Sequence, residues 1–200
     1  MKPIRRAPLA RIISAAWRAV VIETYCSGRL NSERSLQAAM FAELDVRFRE
    51  PGQPQRWILT EPSVTIESTR ARVYPDLVIC NAREAVCFIE LKYTPRGTPD
   101  TQKDLRTLAA IAGNATVSVT NERFLGAGPQ PREFCIAQNA LFVWAGIHTD
   151  EAAQFEEWES PCFDPHYFLQ LHALTHAERK PGIEIFTNAY RLGAENAIAD

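Results

Sequence analysis

Two short stretches of this chain hold the side chains best suited to chemistry. One is Tyr74-Pro75-Asp76-Leu77-Val78; the other, with thirteen residues intervening after Asp76, is Glu90-Leu91-Lys92. Both sit in strand-like apolar runs, and successive side chains on a strand point to opposite faces. Glu90 and Lys92 therefore share one face, with Leu91 on the other. Five apolar residues, Ala85 to Ile89, lead into these charges. Charges in such a setting are costly unless paired or bound to a metal. Asp76 and Glu90 form a carboxylate pair suited to Mg²⁺, a hard cation held by one or two carboxylates plus waters and substrate oxygens, and the Leu91 carbonyl would add another oxygen. Such a cation acidifies water and polarises a phosphoryl oxygen. Lys92 is a mobile point charge able to orient the attacking water or neutralise the transition state. The chemistry implied is hydrolysis of a phosphodiester; the structural alternative is a buried acid–lysine ion pair without metal.

The elements that must position these residues follow from periodicity and punctuation. Leu9, Ile12, Ile13, Ala16, Trp17, Val20 and Val21 recur at helical spacing, which predicts a helix over 8–27 stopped by Gly28. Asn31 and Ser32 cap a second helix, whose apolar face runs through Leu36, Ala39, Met40 and Leu44 to the Pro51-Gly52 turn. Short β-branched segments at 56–60 and 64–67 precede two clearer strands at 73–80 and 85–93, and the tight link 81–84 predicts a hairpin. The second of these is so apolar that it belongs in the middle of a sheet. A Pro/Gly loop over 94–99 leads to a helix with Leu105, Leu108, Ala109 and Ala112 on one face. Strands are expected at 117–119, 134–136 and 140–147, then a helical tail with its best piece at 163–177. The order is that of an α/β protein with a central mixed sheet flanked by helices.

At these residues the sequence resembles the PD-(D/E)xK, or restriction-endonuclease-like, nuclease superfamily. The likeness rests on the Pro before Asp76, the triplet Glu90-Leu91-Lys92, and the order helix, strands, helix, strand over about residues 31–147. It covers a nuclease-like core at about 31–147 and leaves unexplained the N-terminal helix over 8–27 and the C-terminal helical region over 150–200, which the length of 200 residues places with it in a single domain over 1–200. It implies Mg²⁺ or Mn²⁺ on Asp76, Glu90 and Leu91, Lys92 as the catalytic cation, and nucleic acid, DNA in particular, as substrate. An acid is expected on the helix before the sheet: Glu33 first, Glu43 second. A polar residue is expected on the helix after it: Gln102, with Lys103 toward solvent or a phosphate. Arg96 and Gly97 lie in the loop beside Lys92. A catalytically silent module that keeps this fold to bind nucleic acid or a protein partner is the alternative, and a homodimer or other protein partner would serve either role.

Composition narrows the field further. Of 200 residues, 46% are apolar and 23% charged, as in globular proteins. No run approaches the roughly 18 apolar residues of a membrane span. Arg11 and Arg18 break the only signal-like segment, so the chain reads as unexported and cytoplasmic. Five scattered cysteines argue against a disulfide framework. Net charge is −2, unevenly spread: 12 Lys/Arg against 7 Asp/Glu over 1–72, 7 against 7 over 73–149, and 3 against 10 over 150–200. That distribution allows a basic face beside an acidic end. His172 and His176, one turn apart if helical, with His166 and Cys162, raise zinc, but the surrounding Phe and Leu favour an ordinary apolar face. The pair Gly126 and Gly128 lacks a phosphate-loop setting, and no nucleophile-elbow pattern occurs.

Overall fold

The computed structural model describes residues 7–114, 116–121, 130–149, 163 and 166–187. Helix α1 spans Ala7–Ala19 and widens into a π-helical turn over Val20–Tyr25, where the Cys26 amide reaches back to the Val21 carbonyl at 3.1 Å. Helix α2, Glu33–Phe48, starts at a capping box in which Ser32 Oγ accepts from the Ser35 amide and Ser35 Oγ accepts from the Ser32 amide. The strands that follow are β1 (Trp57–Thr60), β2 (Ser63–Ile66), β3 (Arg72–Val73), β4 (Leu77–Cys80) and β5 (Glu84–Tyr93). After α3 (Gln102–Ala112) come β6 (Thr116–Asn121), β7 (Gln130–His148), β8 (Tyr167–Leu174) and β9 (Gly182–Thr187).

Among the described residues nine strands join one mixed sheet: seven run in the order β1-β4-β5-β7-β6-β2-β3, and β8 branches from β7 with β9 antiparallel beside it. The long β7 is shared along its length. Its first half pairs antiparallel with β6, its second half pairs parallel with β8, and β5 lies parallel along its other edge. Helices α1 and α2 pack on each other and on β1, β5 and β8, while α3 packs on β5 and β7. The expected hairpin is present: β4 and β5 pair antiparallel, and Asn81 Oδ1 closes the turn by accepting from the amides of Arg83 and Glu84.

The strand expected over 73–80 is split. Pro75 has no amide to give a ladder, and the chain leaves the sheet there. Val73 pairs with Val64 at one end of the sheet, whereas Leu77 pairs with Thr60 and Ile89 near the other. Five strand steps separate β3 from β4, about 24 Å in a flat sheet, yet the four peptide units from Val73 to Leu77 reach at most about 14 Å. The sheet must curl. A second short link, Glu61-Pro62, crosses the same gap from β1 to β2 with Glu61 at φ +44°. The two crossings are tied together, because the Glu61 amide donates to the Asp76 carbonyl at 2.9 Å.

Two expectations are corrected. The segments 134–136 and 140–147 are one strand, kinked where Ala85 and Cys87 on β5 face Ile136 and Leu141 on β7, so that residues 137–140 bulge. The helix expected over 163–177 is instead strand β8. Phe168, Leu169, Leu171 and Ala173 are all buried, and a strand covered on both faces loses the alternation that would reveal it. Strand β9 likewise replaces part of the expected helical region over 150–200. Residues 150–162 and 188–200, with Cys162, lie outside the described residues.

On the face of the sheet that carries Glu90 and Lys92, aromatic side chains form the core. Phe88 and Phe142 stack at 5.3 Å, and Phe142 meets Phe163 at 5.5 Å. Trp144 lies back along its own strand over Gly146: a Cβ at position 146 would fall 2.7 Å from Cζ3 and 2.9 Å from Cζ2 of the indole. Gly146→Ala is therefore expected to destabilise the fold by about 2 kcal/mol through overpacking, read as a lower urea midpoint at unchanged slope.

Candidate metal and nucleic-acid site

The hairpin of β4 and β5 brings the two sequence stretches together. Asp76 precedes β4 by one residue, and the register that pairs Leu77 with Ile89 sets Asp76 opposite Glu90. Asp76 Oδ2 accepts from the Leu91 amide at 2.6 Å, so its carboxylate extends the ladder where the strand has ended. Its backbone carbonyl accepts from Gln37 Nε2 at 3.0 Å as well as from Glu61. Glu90 is 7% exposed and shares a hydrogen bond with Asp76. Leu91 also lines the cleft; its side chain is buried on the other face of the strand, so it does so through its backbone.

The two carboxyls are held far from their ordinary ionisation. Burial, then the neighbouring Asp76 and Asp104 charges, push Glu90 up to about 9. Burial likewise raises Asp76 to about 6, against the opposing bond from the Leu91 amide. For Lys92, burial works downward, but the carboxylates of Asp104, Glu33 and Asp76 outweigh it and hold the ammonium above its usual value. Lys92 Nζ lies 3.3 Å from Asp104 Oδ2 and 3.9 Å from Glu33 Oε2.

Glu33, at the first turn of α2, reaches the end of β5, where Oε2 accepts from the Tyr93 amide at 3.3 Å. It lines the cleft together with Asp76, Glu90, Leu91 and Lys92. Gln102 does not join them. It is exposed, and its Oε1 accepts from Arg106 Nη2 at 3.3 Å. The residue that α3 sends into the cluster is Asp104, 6% exposed, which also accepts from Trp144 Nε1 at 3.3 Å. Lys103 and Thr107 line the cleft beside it. Glu43 lies elsewhere, paired with Arg47 at 2.7 Å. Asp104 was not singled out from the sequence; its place one helical turn before Leu108, on the apolar side of α3, was the available signal.

The histidines take a different part from that imagined for a helix. His172 lies on β8, fully buried, with Nδ1 3.0 Å from His148 Nε2 and Nε2 3.3 Å from Gln170 Oε1. Burial and the neighbouring His148 lower its pKa to about 3. His176 is exposed beside Arg179.

The cleft measures about 280 Å³, and an adjoining hollow of about 290 Å³ shares Glu33 and Asp76 with it. A larger cavity of about 530 Å³ lies between the C-terminal half of α2 and β1, walled by Phe41, Phe48 and Trp57, but its one acid, Asp45, is already paired with Arg49. The carboxylate-lined cleft is the one of these three whose lining offers both Asp76 and Glu90 to a cation. Among the described residues no three His, Cys, Asp or Glu converge on one point. The donor set is sparser: two carboxylates that resist ionising side by side, plus backbone oxygen. That set fits Mg²⁺ or Mn²⁺, since a hard divalent cation relieves the mutual repulsion and keeps several waters of its own.

Fold and cleft define a mixed α/β protein with a curled sheet and a paired-carboxylate site on its hairpin. No family model matches the chain, and no curated protein matches it. Among solved structures, the cAAA-bound form of NucC from P. aeruginosa ATCC27853 is similar at a TM-score of 0.38 and 9% identity, over 90% of this chain and 85% of that one. Among the described residues no helix is long and apolar enough to cross a membrane.

Proposed function

We propose that this chain is a metal-dependent nuclease that hydrolyses phosphodiester bonds in DNA. The observation that carries this reading is half-buried Asp76 set opposite buried Glu90, with Lys92 on the same strand face as Glu90. Asp76, Glu90 and the Leu91 backbone would hold Mg²⁺ or Mn²⁺, which supplies an acidified water and a polarised phosphoryl oxygen when bound. Glu33 and Asp104 keep the Lys92 ammonium charged and directed into the cleft. Lys92 then offers a fixed positive charge to the attacking water or to the charge that grows on the phosphoryl group. The apolar wall beneath Glu90 excludes bulk water from that side and strengthens these interactions.

The test is cleavage of supercoiled plasmid and single-stranded DNA with Mg²⁺, Mn²⁺ or EDTA, alongside calorimetric titration of each metal. Cutting with either metal and none in EDTA is the expected outcome; neither cutting nor metal binding would sink the reading. One observation favours a second reading, a silent module of the same fold: Lys92 is already satisfied by Asp104, as a purely structural ion pair would be. That reading requires the calorimetric trace to stay flat.

A further inference from the structure

The wall of the cleft holds a feature that the metal site does not use. Arg72, Val73 and Tyr74, the segment just before the crossing at Pro75, line it, as do Lys103 and Thr107 of α3. Tyr74 is 58% exposed, one of three large hydrophobic side chains so exposed among the described residues. The other two, Ile22 and Val46, lie on helices and do not line the cleft; Tyr74 stands two residues from Asp76. Arg72 and Lys103 are exposed as well, and both line the cleft.

We infer that the cleft receives a nucleic-acid strand at an unpaired or terminal base, and that Tyr74 is the platform on which this base stacks. The inference rests on the nuclease reading and names its substrate class. In a duplex both faces of an internal base are covered by its neighbours, so an aromatic ring can stack only where a base is unpaired or at an end. A ring placed beside the paired carboxylates therefore suits single strands, flaps and frayed ends rather than continuous duplex. Arg72 and Lys103 would follow the flanking phosphates, which fix position without reading sequence. A second copy of a protein surface would also cover an exposed tyrosine, but Arg72 and Lys103 in the same lining favour a polyanion with a flat apolar face.

The test uses the full chain with Ca²⁺ in place of Mg²⁺ to hold back cleavage, and fluorescence anisotropy of labelled oligothymidylate and of a closed hairpin duplex. The wild type is expected to prefer the single strand. Tyr74→Ala should weaken that binding about tenfold and weaken the hairpin, whose unpaired bases are confined to its loop, by less, and Tyr74→Phe should keep both, because stacking needs the ring and not the hydroxyl. Unchanged single-strand affinity in Tyr74→Ala overturns the inference; if the hairpin is still cut with Mg²⁺, the nuclease reading survives it. A wild-type dimer that Tyr74→Ala converts to monomer, with DNA binding unchanged, assigns the ring to a subunit contact and also overturns it. Neither binding nor cutting of either DNA removes both.

Discussion

Lys92→Ala should lower the rate of DNA cleavage by about a thousandfold at saturating metal, the scale on which one positioned charge or proton-transfer group acts at a transition state. The fold should survive. Lys92 stands near the end of β5 with 20% of its side chain exposed, so its removal opens no closed cavity. It does leave Asp104 with the bond from Trp144 Nε1 but without the Lys92 ion pair, and a modest loss of stability follows. Circular dichroism and a urea titration check the fold; plasmid nicking checks the rate. A variant that cuts as fast as the wild type would take Lys92 out of the chemistry.

Glu90→Gln is expected to separate stability from function in the opposite sense. Glu90 is pushed from its ordinary 4.5 up to about 9, and Asp76 from 3.8 up to about 6. A carboxyl whose folded value is raised keeps its proton at a pH where the unfolded chain has lost it. The folded state thus binds more protons, and metal-free stability falls as pH climbs from 4.5 toward about 9. Glutamine keeps the shape, removes the charge and flattens that slope. In EDTA at alkaline pH the variant should gain on the order of 2 kcal/mol, because an uncompensated buried charge is gone, which is roughly 4–8 °C for a chain of this length. Calorimetric binding of Mg²⁺ should vanish with it, and so should cleavage. A variant less stable than the wild type in EDTA would mean that Glu90 is compensated within the protein, as a structural ion pair requires.

These residues were legible to different degrees, for physical reasons. Asp76, Glu90 and Lys92 stood out because charges rarely end an apolar strand, and the short link at 81–84 let their neighbourhood be foreseen. The place of Glu33 came from family likeness together with Met40 and Leu44 at helical spacing on its face, and the structure sets it at the end of β5. Asp104 was not singled out, its one signal being its place a helical turn before Leu108, while Gln102 shares its turn and points to solvent. Strand β8 was misread because Phe168, Leu169, Leu171 and Leu174 suit a period of 3.6 as well as a covered strand. The curl of the sheet was invisible in any one segment. It follows only from which strands pair, information that resides in the contacts between segments.

That curl has a bearing on how the site meets its ligands. Two proline-containing crossings, Glu61-Pro62 and Tyr74-Pro75-Asp76, stitch the two ends of the strand order together and are hydrogen-bonded to each other. The distance between the wall at Tyr74 and the floor at Asp76 and Glu90 is then set by chain length and ladder register, with little left to side-chain contacts. Widening it would require strands to part. The ordering entropy of the donor groups is accordingly lost when the chain folds, and little remains to be lost when an ion arrives. The protein bears the strain of two adjacent carboxyls in its resting state, and a metal bound there as proposed would meet a rigid, prepared cleft.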